Sequence, residues 1–288
     1  MGNKTPSQQV GFWESCLKPL LVVLFICFIW MMVANIFFQI IVGYLAYGRV
    51  ANPEGVMNTV SLLLTWITSL LVTIWAAKKF SKFTLKDLGF SKEKVAKRYL
   101  TGLLTGIALM VTVFLINVVF GFIEPALNPD VNWLMILAMF IFFLIQGLTE
   151  EVVVRGYLFS SLQKKYSVPL SIVVSSLVFA FIHINNPGMT WLSALNLFLA
   201  GAMFAVVYQV TGSILLVGGI HSMWNFVMGP ILGVEVSGTV SESFLTEHLT
   251  DRVFFNGGSF GFEGGIIVTL VLVVFTAILW PKMKPAKI

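Results

Sequence analysis

The feature that most constrains this chain is a series of long apolar runs along the whole sequence. The first extends from about Leu20 to Tyr47, and others follow at intervals up to residue 280. A helix needs roughly 20 apolar residues to cross a bilayer, and backbone groups inside a bilayer must be satisfied within helices or closed barrels. Charged residues make up only 11% of the chain, against about 25% in a typical soluble domain. The sequence therefore predicts an all-α, polytopic membrane protein.

We expect about eight transmembrane helices in a single domain that comprises residues 1–288. Their predicted ranges are 19–48, 56–77, 99–122, 132–163, 168–184, 190–210, 213–229 and 264–280. The fourth range is long, whereas the fifth and the seventh are short. In the third range, Gly102 and Gly106 have the small-xxx-small spacing that is typical of closely packed membrane helices.

The basic segment 78–98 predicts the orientation of the chain. It contains eight Lys or Arg residues and two acidic residues, so the positive-inside rule makes it cytoplasmic. Both termini are then also cytoplasmic. We further expect the segment to lie against anionic lipid through its apolar side chains, which are Phe80, Phe83, Leu85, Leu88 and Phe90.

The other loops agree with this orientation. Lysines 164 and 165 fall on the cytoplasmic side, as do Lys282, Lys284 and Lys287. The loop 230–263 is the largest predicted outer segment, and its acidic residues are Glu235, Glu242, Glu247, Asp251 and Glu263. The net charge of +5 therefore indicates membrane orientation, and we expect no nucleic-acid partner.

Very few ionisable side chains lie well inside the predicted helices. They are Glu150, Glu151, Arg155, His183 and His221. Such a residue costs at least about 2.5–3.5 kcal/mol at a helix centre, so it is a functional candidate by default. A rise of about 1.5 Å per residue places these histidines, Glu150 and Asn225 about 12–22 Å from the cytoplasmic edge, on three helices. We therefore expect an intramembrane polar cavity.

The spacing within the fourth helix distinguishes its two carboxylates. Glu151 and Arg155 are four residues apart, so they lie on one helical face and can form an ion pair. Glu150 points about 100° away from that face. Because residue 154 is a valine, we expect Glu150 to have no partner on its own helix and to be free to act as a base.

Three motifs with four-residue spacing follow one another along the chain. They are EExxxR at residues 150–155, FxxxH at residues 179–183 and HxxxN at residues 221–225. Together they resemble the type II CAAX prenyl protease and bacteriocin-processing (CPBP) family of intramembrane proteases, which carries them on successive helices of an eight-helix core. The resemblance covers about residues 130–230, and no motif position departs from the family pattern.

The resemblance implies an intramembrane endopeptidase that uses water to cleave a peptide or protein substrate. The implied catalytic residues are Glu150, His183, His221 and Asn225. The implied orienting residues are Glu151, Arg155 and Phe179. Glu150 would activate the water with help from His183, while the histidine and asparagine of the third motif would polarise the scissile carbonyl and stabilise its oxyanion.

The sequence leaves open whether a metal takes part. Glu150, His183 and His221 match the ligand set of two histidines and one glutamate that occurs in catalytic zinc sites. The same side chains can also activate water without a metal. We favour the metal-free alternative, because the chain has no HExxH motif and the two histidines lie on different predicted helices. No other cofactor is expected.

Two other functions fit the same residues. A proton-coupled transporter could use Glu150 and Glu151 as relay groups, and a non-catalytic, immunity-type member of the family would bind a membrane partner without cleaving it. The absence of an inverted-repeat pattern argues against transport, and the intact motifs favour an enzyme. The expected partners are a peptide or membrane-protein substrate and the lipid bilayer, with no oligomeric state predicted. The charge pattern and the lack of a targeting extension favour a bacterial plasma membrane.

Overall fold

The computed structural model describes residues 11–50 and 52–283, with the side chains of Glu247 and His248 left out. The predicted cytoplasmic positions of Lys284, Lys287 and the first ten residues lie outside the described residues. Six helices of the described part are long and apolar enough to cross a membrane. The chain is therefore an all-α, polytopic integral membrane protein, as the sequence predicts.

The eight apolar helices follow the predicted ranges. They are α1 (Trp13–Tyr47), α2 (Gly55–Ser81), α3 (Val95–Val119), α4 (Trp133–Leu162), α5 (Val168–Ile182), α6 (Trp191–Thr211), α7 (Ile214–Ile231) and α8 (Ile266–Lys282). Six of them have the length of a membrane span, while α5 and α8 are shorter. The count of eight membrane crossings therefore stays a prediction.

Two short strands pair outside the helices. β1 (Ile123–Leu127) follows α3, and β2 (Leu245–Leu249) lies within the segment 230–263. The strands are antiparallel, with Ile123 opposite Leu249 and Leu127 opposite Leu245. The sequence did not predict this pair, because each strand is short and its partner is remote along the chain. The pairing attaches the large loop to the connection between α3 and α4.

The basic segment 78–98 differs from its prediction, because part of its apolar surface is buried in protein. Phe83 is 5% exposed and Leu88 is 0% exposed. Phe83 packs edge to face on Tyr157, with ring centroids 5.9 Å apart. Leu88 lies against Gly156, where the lack of a side chain admits it. The expectation that both side chains face lipid was wrong, since the π-helical part of α4 offers them a closer apolar surface.

A tight turn holds this basic segment in shape. The backbone N–H and the hydroxyl of Thr84 both donate hydrogen bonds to Oδ2 of Asp87, at 2.7 and 2.6 Å. These bonds favour the charged carboxylate and lower the pKa of Asp87. The charge of Lys164 lowers it further, to a smaller extent.

Close helix packing sets the position of α7, which lies against α3 and α4. A Cβ at Gly102 or Gly106 of α3 would overlap backbone carbonyl oxygens of α7, so the close packing predicted from their spacing is confirmed. On α4, a Cβ at Gly147 would lie 2.6 Å from the backbone nitrogen of Ser222. The α7 backbone is therefore held directly against both neighbours, and the side chains of its third motif have little freedom to shift.

Candidate active site

Helix α4 changes its hydrogen-bonding pattern at the first motif. It is α-helical from Trp133 to Glu151 and π-helical from Val152 to Phe159, and all eight residues of the π-helical part are buried. Short π-helical segments are rare and frequently occur at functional sites. The sequence did not predict this change. It begins directly after the two motif carboxylates, so it alters the direction of the side chains that follow them.

Glu150 presents one unpartnered carboxylate oxygen to the site. The residue is 7% exposed. Among the residues that the structure describes, Oε2 has no hydrogen-bond partner. It lies 3.8 Å from Nε2 of His183 and 3.7 Å from Nε2 of His221. Both distances are too long for a direct hydrogen bond, but a single water at about 2.8 Å from each atom could bridge either pair.

Gln146 is a residue of the site that was not predicted. Its Nε2 donates to Oε1 of Glu150 at 2.5 Å, and its Oε1 accepts from Nδ2 of Asn225 at 3.0 Å. The expectation that Glu150 has no partner on its own helix was therefore wrong. The partner, Gln146, lies one turn before Glu150, whereas the prediction rested on residue 154, one turn after it. A neutral amide four residues from a buried glutamate was the signal in the sequence.

The second motif places His183 at the end of α5. The helix ends at Ile182, and Nδ1 of His183 lies 2.8 Å from the carbonyl oxygen of Phe179. A carbonyl oxygen only accepts hydrogen bonds, so Nδ1 carries the proton in this contact. In the neutral ring, Nε2 then has a lone pair that faces Glu150. The four-residue spacing of the FxxxH motif thus lets the histidine ring bond the backbone carbonyl of the phenylalanine.

The predicted ion pair between Glu151 and Arg155 is confirmed. Nη1 of Arg155 donates to Oε1 of Glu151 at 2.9 Å, and both side chains are 0% exposed. The same carboxylate oxygen lies 2.9 Å from Nδ1 of His221, a contact that the sequence did not predict. Glu151 therefore orients the His221 ring so that Nε2 faces Glu150. Nη2 of Arg155 donates to the carbonyl oxygen of Gly201 at 2.9 Å, which connects α4 with α6.

Two phenylalanines enclose the charged groups. The ring centroid of Phe179 is 4.4 Å from the guanidinium carbon of Arg155 and 4.8 Å from the centroid of the His183 ring. Phe204 of α6, which the sequence did not suggest, lies 5.2 Å from the same guanidinium carbon and stacks on His221 with centroids 4.9 Å apart. These contacts shield the ion pair from water and restrict rotation of both imidazoles.

A cavity of about 700 Å³ joins these residues. It is lined by the four predicted catalytic side chains and Gln146, so the structure brings together residues from α4, α7 and the end of α5. Residues 236, 237 and 239–242 of the predicted outer segment also line it. Much of the wall is apolar, with Met31, Leu62, Trp66, Met135 and Phe142 among its members. A cavity of this size and composition is typical of a ligand site.

The donor atoms of Glu150, His183 and His221 lie close to the spacing of the zinc site that the sequence left open. Two ligand atoms about 2.1 Å from a tetrahedral zinc are about 3.4 Å apart. The two pairs here measure 3.7 and 3.8 Å. Within residues 11–50 and 52–283, no group of three or more His, Cys, Asp or Glu side chains has a geometry that could hold a metal ion as it stands. The three side chains would have to approach one another by a few tenths of an ångström to hold zinc, so the dependence on a metal stays a prediction.

Comparison with known proteins supports the resemblance to the protease family. A family model described as type II CAAX prenyl endopeptidase Rce1-like matches residues 132–227, about a third of the chain. The matched segment contains all three motifs, and its limits lie close to the predicted 130–230. None of the curated proteins that were compared with the chain matches it.

Proposed function

We propose, from the premise that residues 132–227 belong to the Rce1-like type II CAAX prenyl endopeptidases, that the protein is an intramembrane endopeptidase. Its substrate would be a peptide or a membrane protein, cleaved by a water molecule that Glu150 activates. The observation that carries this proposal is the buried Oε2 of Glu150, which has no partner among the described residues and faces two histidine nitrogens in a large cavity.

Two atoms would hold the attacking water. Oε2 of Glu150 and Nε2 of His183 both accept hydrogen bonds, so one water can donate one O–H group to each of them. Their separation of 3.8 Å suits a single bridging water. The bond from Nδ1 of His183 to the carbonyl of Phe179 supports this role, because it keeps the lone pair on Nε2.

The proposed reaction is a general base-catalysed hydrolysis. The water oxygen bonds to the carbonyl carbon of the scissile peptide, the π-electron pair of the carbonyl moves to its oxygen, and a water proton passes to Oε2 of Glu150. The oxyanion then collapses and the C–N bond breaks. The leaving nitrogen takes the proton from Glu150, which returns the carboxylate to its starting state and yields a new carboxyl group and a new amine.

The α7 side chains would stabilise the oxyanion. Glu151 holds the His221 ring with Nε2 facing the site, and in its charged form His221 donates a hydrogen bond from this atom. Nδ2 of Asn225 donates one N–H to Gln146, so its second N–H is available for the substrate oxygen. Loss of one such donor typically lowers kcat by about 10²–10³.

The proposal includes the orientation of the chain in the membrane. We place the protein in a bacterial plasma membrane with both termini in the cytoplasm, on the basis of the basic segment 78–98. Residues 236, 237 and 239–242 of the outer segment line the cavity, so we propose that the substrate enters from the outer side. The proposed chemistry uses no metal.

Comparison of cleavage products in membranes tests the function. Membranes that contain the wild type, Glu150→Ala or the control Glu124→Ala are analysed for new peptide N-termini by mass spectrometry. Glu124 is an exposed acid in β1, remote from the cavity lining. We expect new N-termini with the wild type and the control, and none with Glu150→Ala. An unchanged set in Glu150→Ala would contradict the proposal, and biological activity retained by this variant would favour the non-catalytic partner.

A further inference from the structure

The cavity contains a second buried carboxylate, Glu263, that the proposed reaction does not use. The sequence placed this residue among the acids of the predicted outer segment, and the structure puts it in a short turn before α8, where it is 8% exposed. Its Oε1 accepts a hydrogen bond from Nε1 of Trp224 at 3.0 Å, and its Oε2 accepts one from the hydroxyl of Ser237 at 2.5 Å. Two neutral donors thus hold the carboxylate in a defined orientation.

No cation of the described residues neutralises Glu263 through an ion pair. The cavity lining includes three carboxylates, which belong to Glu150, Glu242 and Glu263, and its described members include neither lysine nor arginine. The lining also includes His183 and His221, so the three carboxylates outnumber the one imidazolium that the proposed reaction uses. A buried charge without a partner of opposite sign is costly, and an excess of one sign in a cleft attracts the opposite sign. The cavity therefore favours a ligand that carries positive charge.

The position of Glu263 relates this charge to the reacting bond. Its hydrogen-bond donor Trp224 directly precedes Asn225 on α7. The unpartnered Oε2 of Glu150, on a side chain more than nine-tenths buried, independently indicates that the cavity receives a ligand. Glu150 and Glu263 line the same cavity, so a peptide bound at Glu150 could present one of its side chains to Glu263.

We propose that Glu263 is a specificity-determining residue that binds the ammonium group of a lysine or the guanidinium group of an arginine close to the cleavage site. The substrate class is thus a peptide with a basic residue at one fixed distance from the scissile bond. This inference rests on the proposed endopeptidase function. The carboxylate provides the charge, while Trp224 and Ser237 fix its direction.

Peptide cleavage by purified protein tests the inference. A defined library of synthetic peptides is incubated with the wild type, Glu263→Gln and the control Glu235→Gln, and all products are identified by mass spectrometry. Glu235 belongs to the same loop but does not line the cavity. We expect wild type and control to cleave next to one fixed basic position, and we expect Glu263→Gln to lose this preference.

A matched peptide pair gives the magnitude. With lysine against norleucine at the preferred position, we expect kcat/KM of the wild type to favour lysine at least 10-fold and that of Glu263→Gln less than 3-fold. If Glu263→Gln does not fold, the wild type alone tests the inference. A wild-type preference for lysine over norleucine below 3-fold overturns it. Equal preference in wild type and Glu263→Gln also overturns it. A wild type that cleaves no peptide overturns the proposed function, and this inference with it.

Discussion

Gln146 offers a sharp test of how the site is organised. The substitution Gln146→Leu keeps the approximate size of the side chain but removes two hydrogen bonds, one to Oε1 of Glu150 at 2.5 Å and one from Nδ2 of Asn225 at 3.0 Å. Both oxygens of Glu150 would then lack a partner on the protein. Glu150, the proposed base, and Asn225, a proposed oxyanion donor, would no longer be held by the same side chain.

The structure gives the expected size of the effect. A hydrogen bond to a charged group contributes about 1.5–3 kcal/mol. If the bond from Gln146 holds Glu150 in its reactive position, its loss lowers kcat by about 10- to 150-fold. KM should change less than 3-fold, because Gln146 is one of 36 described residues that line the cavity. A merely structural role would instead lower the amount of folded protein and leave kcat per folded molecule unchanged.

The assay compares initial rates of purified variants on a peptide that the wild type cleaves. The matched control is Gln163→Leu, which removes an amide hydrogen bond of 2.6 Å to Gln209 but lies directly after α4 and does not line the cavity. Thermal unfolding is measured for each variant. A folded Gln146→Leu with kcat within 2-fold of the wild type would refute the positioning role, whatever the control does.

Three further substitutions probe the surroundings of the site. Glu151→Gln keeps an oxygen acceptor but removes the charge that faces Arg155 and His221, so we expect a loss of about 3–5 kcal/mol in stability, measured by denaturation in detergent. An unchanged midpoint would contradict the buried ion pair. In Gly147→Ala the added Cβ would lie 2.6 Å from the backbone nitrogen of Ser222 and force α4 and α7 apart, so we expect kcat to fall at least 10-fold. Activity at the wild-type level would show that the two backbones can move apart without loss. Asp87→Asn should lower Tm by about 2 °C at pH 7, and the difference should shrink as the pH falls below 4 and vanish once the pH has passed the lowered pKa of Asp87. The sign follows from the lowered pKa of Asp87. Its contribution to stability is present above its usual pKa and is lost as the pH falls through the lowered value. A difference in Tm that grows towards acid pH would contradict this stabilising role of Asp87.

Features with a local signal could be predicted from the sequence. Hydropathy located the helices because a bilayer requires long apolar segments, and four-residue spacing predicted the pair of Glu151 and Arg155 because a helix brings these positions together. The small-xxx-small spacing of Gly102 and Gly106 predicted a close helix contact for the same reason.

Features that depend on the three-dimensional arrangement could not be predicted. The contact between Glu151 and His221 joins two helices whose mutual rotation no sequence pattern records. The burial of Leu88 depends on a space beside Gly156 that the π-helical segment creates. Glu263 lies in a polar loop by composition, but the chain folds this loop back over the cavity. In each case the partner is remote along the chain, so the local sequence has no signal of it.

The most direct test of the central claim is the rate at which purified Glu150→Gln cleaves a peptide that the wild type cleaves. Glutamine keeps the size of the side chain but cannot accept the water proton at the position of Oε2. Since general base catalysis typically contributes about 10²–10⁴ in rate, we expect kcat to fall by this factor while the variant remains folded. A folded Glu150→Gln that cleaves the peptide at the wild-type rate would contradict the assignment of Glu150 as the base.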